Sequence, residues 1–150
     1  MKALLFISVL FSGFTAHAQV VSKMEISEPV QGLCNNKEVY ALVSSAGNQQ
    51  SAVSPMKPED ISSKLNSTLL FIKEHPKHTD KGSVNVLINC EGKVVRVTME
   101  QKTSSPDLDQ QIIAFFSGMG DWQPGMYNSN KVDSYKVYTF TIRNGKFLLM

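Results

Sequence analysis

Several residue classes that would mark a specialised chain are scarce or absent. There is no Gly-x-Ser-x-Gly elbow, no Gly-rich phosphate loop and no dinucleotide fingerprint. The serine-hydrolase, P-loop and Rossmann chemistries therefore have no sequence signal. Charge is thin and nearly balanced, with 15 basic and 13 acidic side chains and a net charge of +2 among 150 residues. That is too little, and too evenly spread, for the electrostatic footprint of a protein that grips nucleic acid or an anionic membrane. The six prolines are scattered and form no spacer-like run. No apolar stretch reaches the roughly 20 residues a bilayer-spanning helix needs.

The longest apolar run lies at the start. Lys2 precedes Ala3 to Phe14, and Ala16-His17-Ala18 places small residues at both positions a signal peptidase inspects. Polar Thr15, His17 and Gln19 interrupt the run, so it reads as a cleaved leader over 1–18, cut after Ala18. Removing it leaves 150 − 18 = 132 residues and lowers the net charge to +1. This is enough for one domain with an ordinary core and no further membrane span. In an exported chain the two cysteines, Cys34 and Cys90, suggest a disulfide; the alternative is two separate buried thiols. A bridge here would be worth about 2–4 kcal/mol.

Residues 19–57 read as an N-terminal extension with one strand signal, Glu38 to Ser44, among turn formers. A helix is expected from Pro58, with Glu59 and Asp60 at its positive end and Ile61, Leu65, Leu69 and Ile72 on one face. Pro76 ends it. Ser83 to Cys90 and Lys93 to Glu100 alternate as a hairpin around a two-residue Glu91-Gly92 turn. Val84, Val86, Ile88 and Cys90 form one side of the first strand, and Val95, Val97 and Met99 one side of the second. A second helix starts at Ser104 or Ser105, followed by Pro106, Asp107 and Asp109, with Leu108, Ile112, Phe116 and Met119 facing the core. After the Trp122 loop, a third strand runs from about Ser134 to Ile142. Asn144-Gly145 then allows Lys146 to Met150 to fold back.

This order of pieces resembles the C-terminal domain of TonB-type energy transducers, in the compact Bacteroidetes-like version. The resemblance runs from about Glu59 to Phe147. It rests on Ser83-Val-Asn-Val-Leu-Ile-Asn-Cys-Glu-Gly-Lys-Val-Val95, Leu108-Asp109, Met119, Trp122-Gln-Pro-Gly125 and Tyr138-Thr-Phe-Thr-Ile142. It implies an α+β fold: an antiparallel three-stranded sheet with two helices on one face, spanning 58–150, plus the N-terminal extension. It also implies a periplasmic protein that captures an extended segment of an outer-membrane transporter by strand addition, without catalysis or cofactor. The partner-binding edge would be Tyr135, Lys136, Val137, Tyr138, Thr139, Phe140 and Thr141. A full transducer keeps a membrane helix and a proline-rich spacer, so a leader-bearing chain without that spacer is expected to bind rather than pull. Self-association through an edge strand is a further expectation. The alternative is a secreted or periplasmic inhibitor or structural accessory on the same fold.

Other candidates have plainer readings. Trp122, Pro124 and Gly125 are expected to shape a loop, with the indole N–H finding one partner. His75, His78 and Asp80 lack a fourth ligand at metal-site spacing and read as loop residues. Asp107 and Asp109 suit a helix start better than acid–base work. Asn66-Ser67-Thr68 matches a glycosylation sequon but falls inside the first helix. Tyr135 belongs either to a docking surface with Val137 or to a covered sheet face, and alternation does not decide between them.

Overall fold

The computed structural model describes residues 22–26, 28–43 and 47–150. The expected leader and its cut after Ala18 lie outside the described residues. In chain order the elements are β1 (Ser22–Glu25), β2 (Glu38–Ala41), β3 (Gln49–Gln50), α1 (Pro58–Thr68), α2 (Leu70–Glu74), β4 (Asp80–Ile88), β5 (Val94–Gln101), α3 (Pro106–Ser117), β6 (Gly125–Tyr127), β7 (Asn130–Val132), β8 (Ser134–Arg143) and β9 (Lys146–Leu149). The class is α+β. The main sheet is larger than the three strands expected from sequence: six strands run β1-β2-β8-β4-β5, with β9 also on β8. Every pairing in it is antiparallel except β2 with β8, which is parallel. A second sheet, β3-β6-β7, has no counterpart among the expected elements.

Strand alternation divides the core between the two faces of the main sheet. Val84, Val86 and Ile88 of β4 and Tyr138, Phe140 and Ile142 of β8 meet Ile61, Leu65, Leu69 and Ile72, and Leu108, Ile112 and Phe116 of α3. The helices therefore share one face. On the opposite face Leu87 is fully buried with Val30 and Val39, and Ile26, Leu33, Val95 and Tyr135 pack around them. The N-terminal segment thus covers the face that a helix-only arrangement would leave wet.

Local chemistry explains three departures from the expected elements. The first helix breaks at Leu69 (φ −66°, ψ 110°) into α1 and α2. The hydroxyls of Ser67 and Thr68 donate to the Lys64 carbonyl, competing for acceptors at the helix end, while Gln111 of α3 accepts from Phe71 N–H at the restart. The β4–β5 connection is a three-residue loop rather than a two-residue turn. Asn89 N–H pairs with Lys93 C=O at 2.9 Å, and the Asn89 side chain accepts from both Glu91 and Lys93. Finally, Leu87 pairs with Arg96 but Ile88 with Val94, leaving Val95 as the extra residue of a bulge. That shift sends Val95 to the opposite face from Val97 and Met99. Cys90 likewise falls beyond the end of β4, in the turn.

Candidate functional site

The expected partner edge is the side of β8 facing away from β4. Its first residues are taken by β2, with Tyr40 opposite Ser134 and Ala41 opposite Tyr135. Its last four, Phe140 to Arg143, are taken by β9. β9 turns back through Asn144 (φ 48°) and Gly145 (φ 67°), the two positive-φ positions a tight hairpin of this kind requires. The strand is held on both sides. The Asn66 amide donates to Phe147 C=O at 2.9 Å and accepts from Phe147 N–H at 2.8 Å, and Ser62 Oγ accepts from Leu149 N–H. Phe147 is fully buried and stacks on Phe140 with ring centroids 4.6 Å apart.

Between the two covers lies a notch. Met150 N–H donates to Thr139 C=O at 2.9 Å, so odd-numbered residues of β8 direct their backbone groups to this edge. Val137 therefore presents its N–H and C=O outward where neither β2 nor β9 is in register with it. The residue is 51% exposed. Two hollows of about 340 Å³ flank it. One is lined by Ala41, Leu42, Val43 and Val137, the other by Ala52, Val53, Met56 and Tyr138. Lys136 spans the floor, its Nζ 3.3 Å from Ser51 Oγ. Burial pushes the Tyr138 phenol above its ordinary value, offset in part by hydrogen bonding to Ser54. Of the seven expected residues, Val137 and Thr139 border the notch. Tyr138 and Phe140 are core, and Tyr135 packs beside Val30, Val39 and Leu87.

Trp122, Pro124 and Gly125 lie behind this edge. Trp122 is buried, meets Tyr138 edge-on at 6.2 Å, and donates its backbone N–H to Gly92 C=O. A Cβ at Gly92 would sit 2.0 Å from the Trp122 carbonyl oxygen, so only glycine admits this approach of the loop to the hairpin tip. Gly125 opens β6 opposite Val132. The indole N–H, expected to find a partner, has none among the described residues.

The extension is pinned by a residue the sequence did not single out. Cys34 and Cys90 form a disulfide. Beside it Asp133, 2% exposed, accepts backbone N–H bonds from Asn35 (2.7 Å), Cys90 (2.8 Å) and Cys34 (3.2 Å). The partners lie up to 99 positions away, so no local pattern could reveal them. Among the described residues these three side chains are also the one cluster with metal-ligand proximity. Both sulfurs are consumed by the bridge, which makes the cluster a clasp.

The His/Asp candidates form a second clasp. Asp80 accepts from Ser104 N–H (2.8 Å), Ser104 Oγ (2.7 Å) and Lys81 N–H (2.8 Å), and contacts His78 Nε2 at 3.2 Å. Partial burial raises its carboxyl, but the Ser104, Lys81 and His78 hydrogen bonds outweigh this and hold it below the ordinary value. The serine hydroxyl is committed to the carboxylate, so this cluster contains no serine–histidine relay. His75 C=O accepts from His78 N–H at 2.9 Å, and both rings pack on Phe71, His75 tilted at 4.4 Å and His78 edge-on at 5.0 Å. Asp109 is buried and accepts from Thr103 N–H and Oγ1, which fixes the start of α3 next to its Ser105 cap. Comparison with protein-family models, curated proteins and solved structures returns no match for this chain.

Proposed function

We propose that the protein is an exported, periplasmic binding module of the TonB C-terminal kind, which takes an extended protein segment by strand addition at β8. The observation that carries this is the notch at Val137. Its backbone groups face outward, without a partner among the described residues, between two strands and with an apolar hollow on each side. An incoming strand satisfies those groups, and its alternate side chains enter the two hollows. Further support comes from the antiparallel order β5-β4-β8 with helices on one face, and from the Trp122-Gln-Pro-Gly125 loop behind it. The N-terminal segment of an outer-membrane transporter is the partner this reading names. The notch admits only a few residues, because longer pairing along Phe140 to Thr141 requires β9 to leave.

That cover favours a second reading, an accessory or inhibitory protein that never takes a long segment. Val137→Pro separates the two. The substitution removes an outward N–H that β4 does not use, so the fold should survive. Titration of transporter N-terminal peptides, followed by calorimetry, should give binding to the wild-type protein and none to the variant. Undiminished affinity in a folded Val137→Pro protein would sink the notch as the site, and no binding to either protein would leave the accessory reading.

A further inference from the structure

The other long edge of the main sheet is bare. β5 pairs with β4 alone, and no strand lies on its outer side among the described residues. Thr139 C=O faces β9, so the even residues of β8 face β4. Val84, opposite Tyr138, therefore faces β8, while Asn85 and Leu87 face β5 opposite Thr98 and Arg96. It follows that Val97 and Met99 hold their N–H and C=O groups outward. Next to them, between β5 and α3, runs a groove of about 580 Å³ with Val97, Met99, Pro106 and Ile113 among its walls.

We propose that this edge pairs with β5 of a second copy of the chain, antiparallel about a two-fold axis at Thr98. Two-fold pairing is the usual closed arrangement for identical subunits, and the outward groups select its register. Placing Val97 opposite Met99 of the second copy, and Met99 opposite its Val97, matches all four outward groups of each strand. Shifting the axis to Val97 or to Met99 matches only one such residue with its own copy. The same register sets Arg96 opposite Glu100 of the second copy and Glu100 opposite its Arg96, with Thr98 facing Thr98. All three side chains are exposed, and Arg96 and Thr98, opposite Leu87 and Asn85, lie on the face away from α3. Opposite charges directly across an antiparallel pair are favourable, and like charges are not.

The helix face agrees. An axis perpendicular to the sheet brings both α3 helices to the same side, where the half-buried Ile113 of each faces the groove of the other. Charges and bulges commonly guard an edge against indiscriminate pairing. Here one bulge of β5 precedes Arg96 and the other has Glu100 as its extra residue, so the stretch from Arg96 to Met99 is regular and Glu100 closes it. The alternating charges restrict the edge to one self-complementary register instead of closing it. The result is one continuous sheet across the dimer, with the β8 notches at its two far sides.

Sedimentation velocity on the purified protein across a dilution series tests this. The wild-type protein should show a monomer–dimer equilibrium. Glu100→Arg, which sets arginine against arginine twice, should weaken it about tenfold. Adding Arg96→Glu to that variant restores opposite signs and should return the dimer to near wild-type strength. All three proteins must retain the wild-type circular dichroism spectrum, which exposed substitutions on this edge should allow. A strictly monomeric wild-type protein overturns the proposal, as does a dimer that ignores Glu100→Arg or is not rescued by the double exchange. Val137→Pro should leave the equilibrium unchanged, so failure here and failure of the notch reading are told apart.

Discussion

β5 and β8 are both long strands hydrogen-bonded to β4, and their outer edges are finished in opposite ways. β8 is roofed at one end by a parallel strand from the N-terminal segment and at the other by β9. β9 is itself tied down by Asn66 and Ser62 of α1. β5 has no such roof among the described residues, only Arg96 and Glu100 on either side of Thr98. A covered edge discriminates by the few backbone groups left showing, whereas a bare one must discriminate by side chains. The same sheet therefore offers a narrow contact on one side and a long self-matching contact on the other.

The comparison breaks most severely if the β8 roof is removed. Phe147→Ala should cost about 3–5 kcal/mol, as for other fully buried aromatic truncations, read as a fall in the denaturant midpoint at unchanged slope. A loss under about 1 kcal/mol would show that β9 is not part of the folding unit. Reducing the Cys34–Cys90 bridge should cost about 2–4 kcal/mol. Amide exchange should then rise first in β2 and at Tyr135, with β5 little changed; uniform acceleration would contradict a local role for the clasp.

The smallest effect is one of pH. Asp80 joins the start of β4 to Ser104, just past the end of β5, and its folded pKa lies below the ordinary 3.8. Its contribution is therefore complete above about pH 4 and disappears as pH falls through the lower folded value. Asp80→Asn should flatten the acid side of the stability curve and leave neutral pH less affected. An unchanged acid limb would remove Asp80 as its cause.

The parts of this fold legible in the sequence are those set by neighbours. The β4–β5 hairpin, the apolar faces of α1 and α3, and the Asn144-Gly145 turn follow from period and turn chemistry. The parts not legible depend on partners distant in sequence. Leu87 interrupts a polar row and reads as an outlier until Val30 and Val39 are seen above it. Asp133 resembles any loop aspartate, because its three donors come from residues 34, 35 and 90. Strand alternation places Val95 with Val97 and Met99, but one bulged residue sends it to the opposite face, and composition does not announce a bulge. The β8 edge was legible as a strand, while its roof on the β2 side required a parallel pairing between residues nearly 100 positions apart.

Phe147 also decides which contacts must wait for the end of the chain. A chain synthesised only as far as Arg143 already holds the helices and four strands of the main sheet besides β8. It lacks the ring that stacks on Phe140, and the backbone groups that Asn66 is placed to meet. β2 cannot join β8 until Ser134 has emerged. Closure that waits on such late, long-range contacts is slow. A chain of this design cannot complete the edge of its main sheet until nearly all of it has been made.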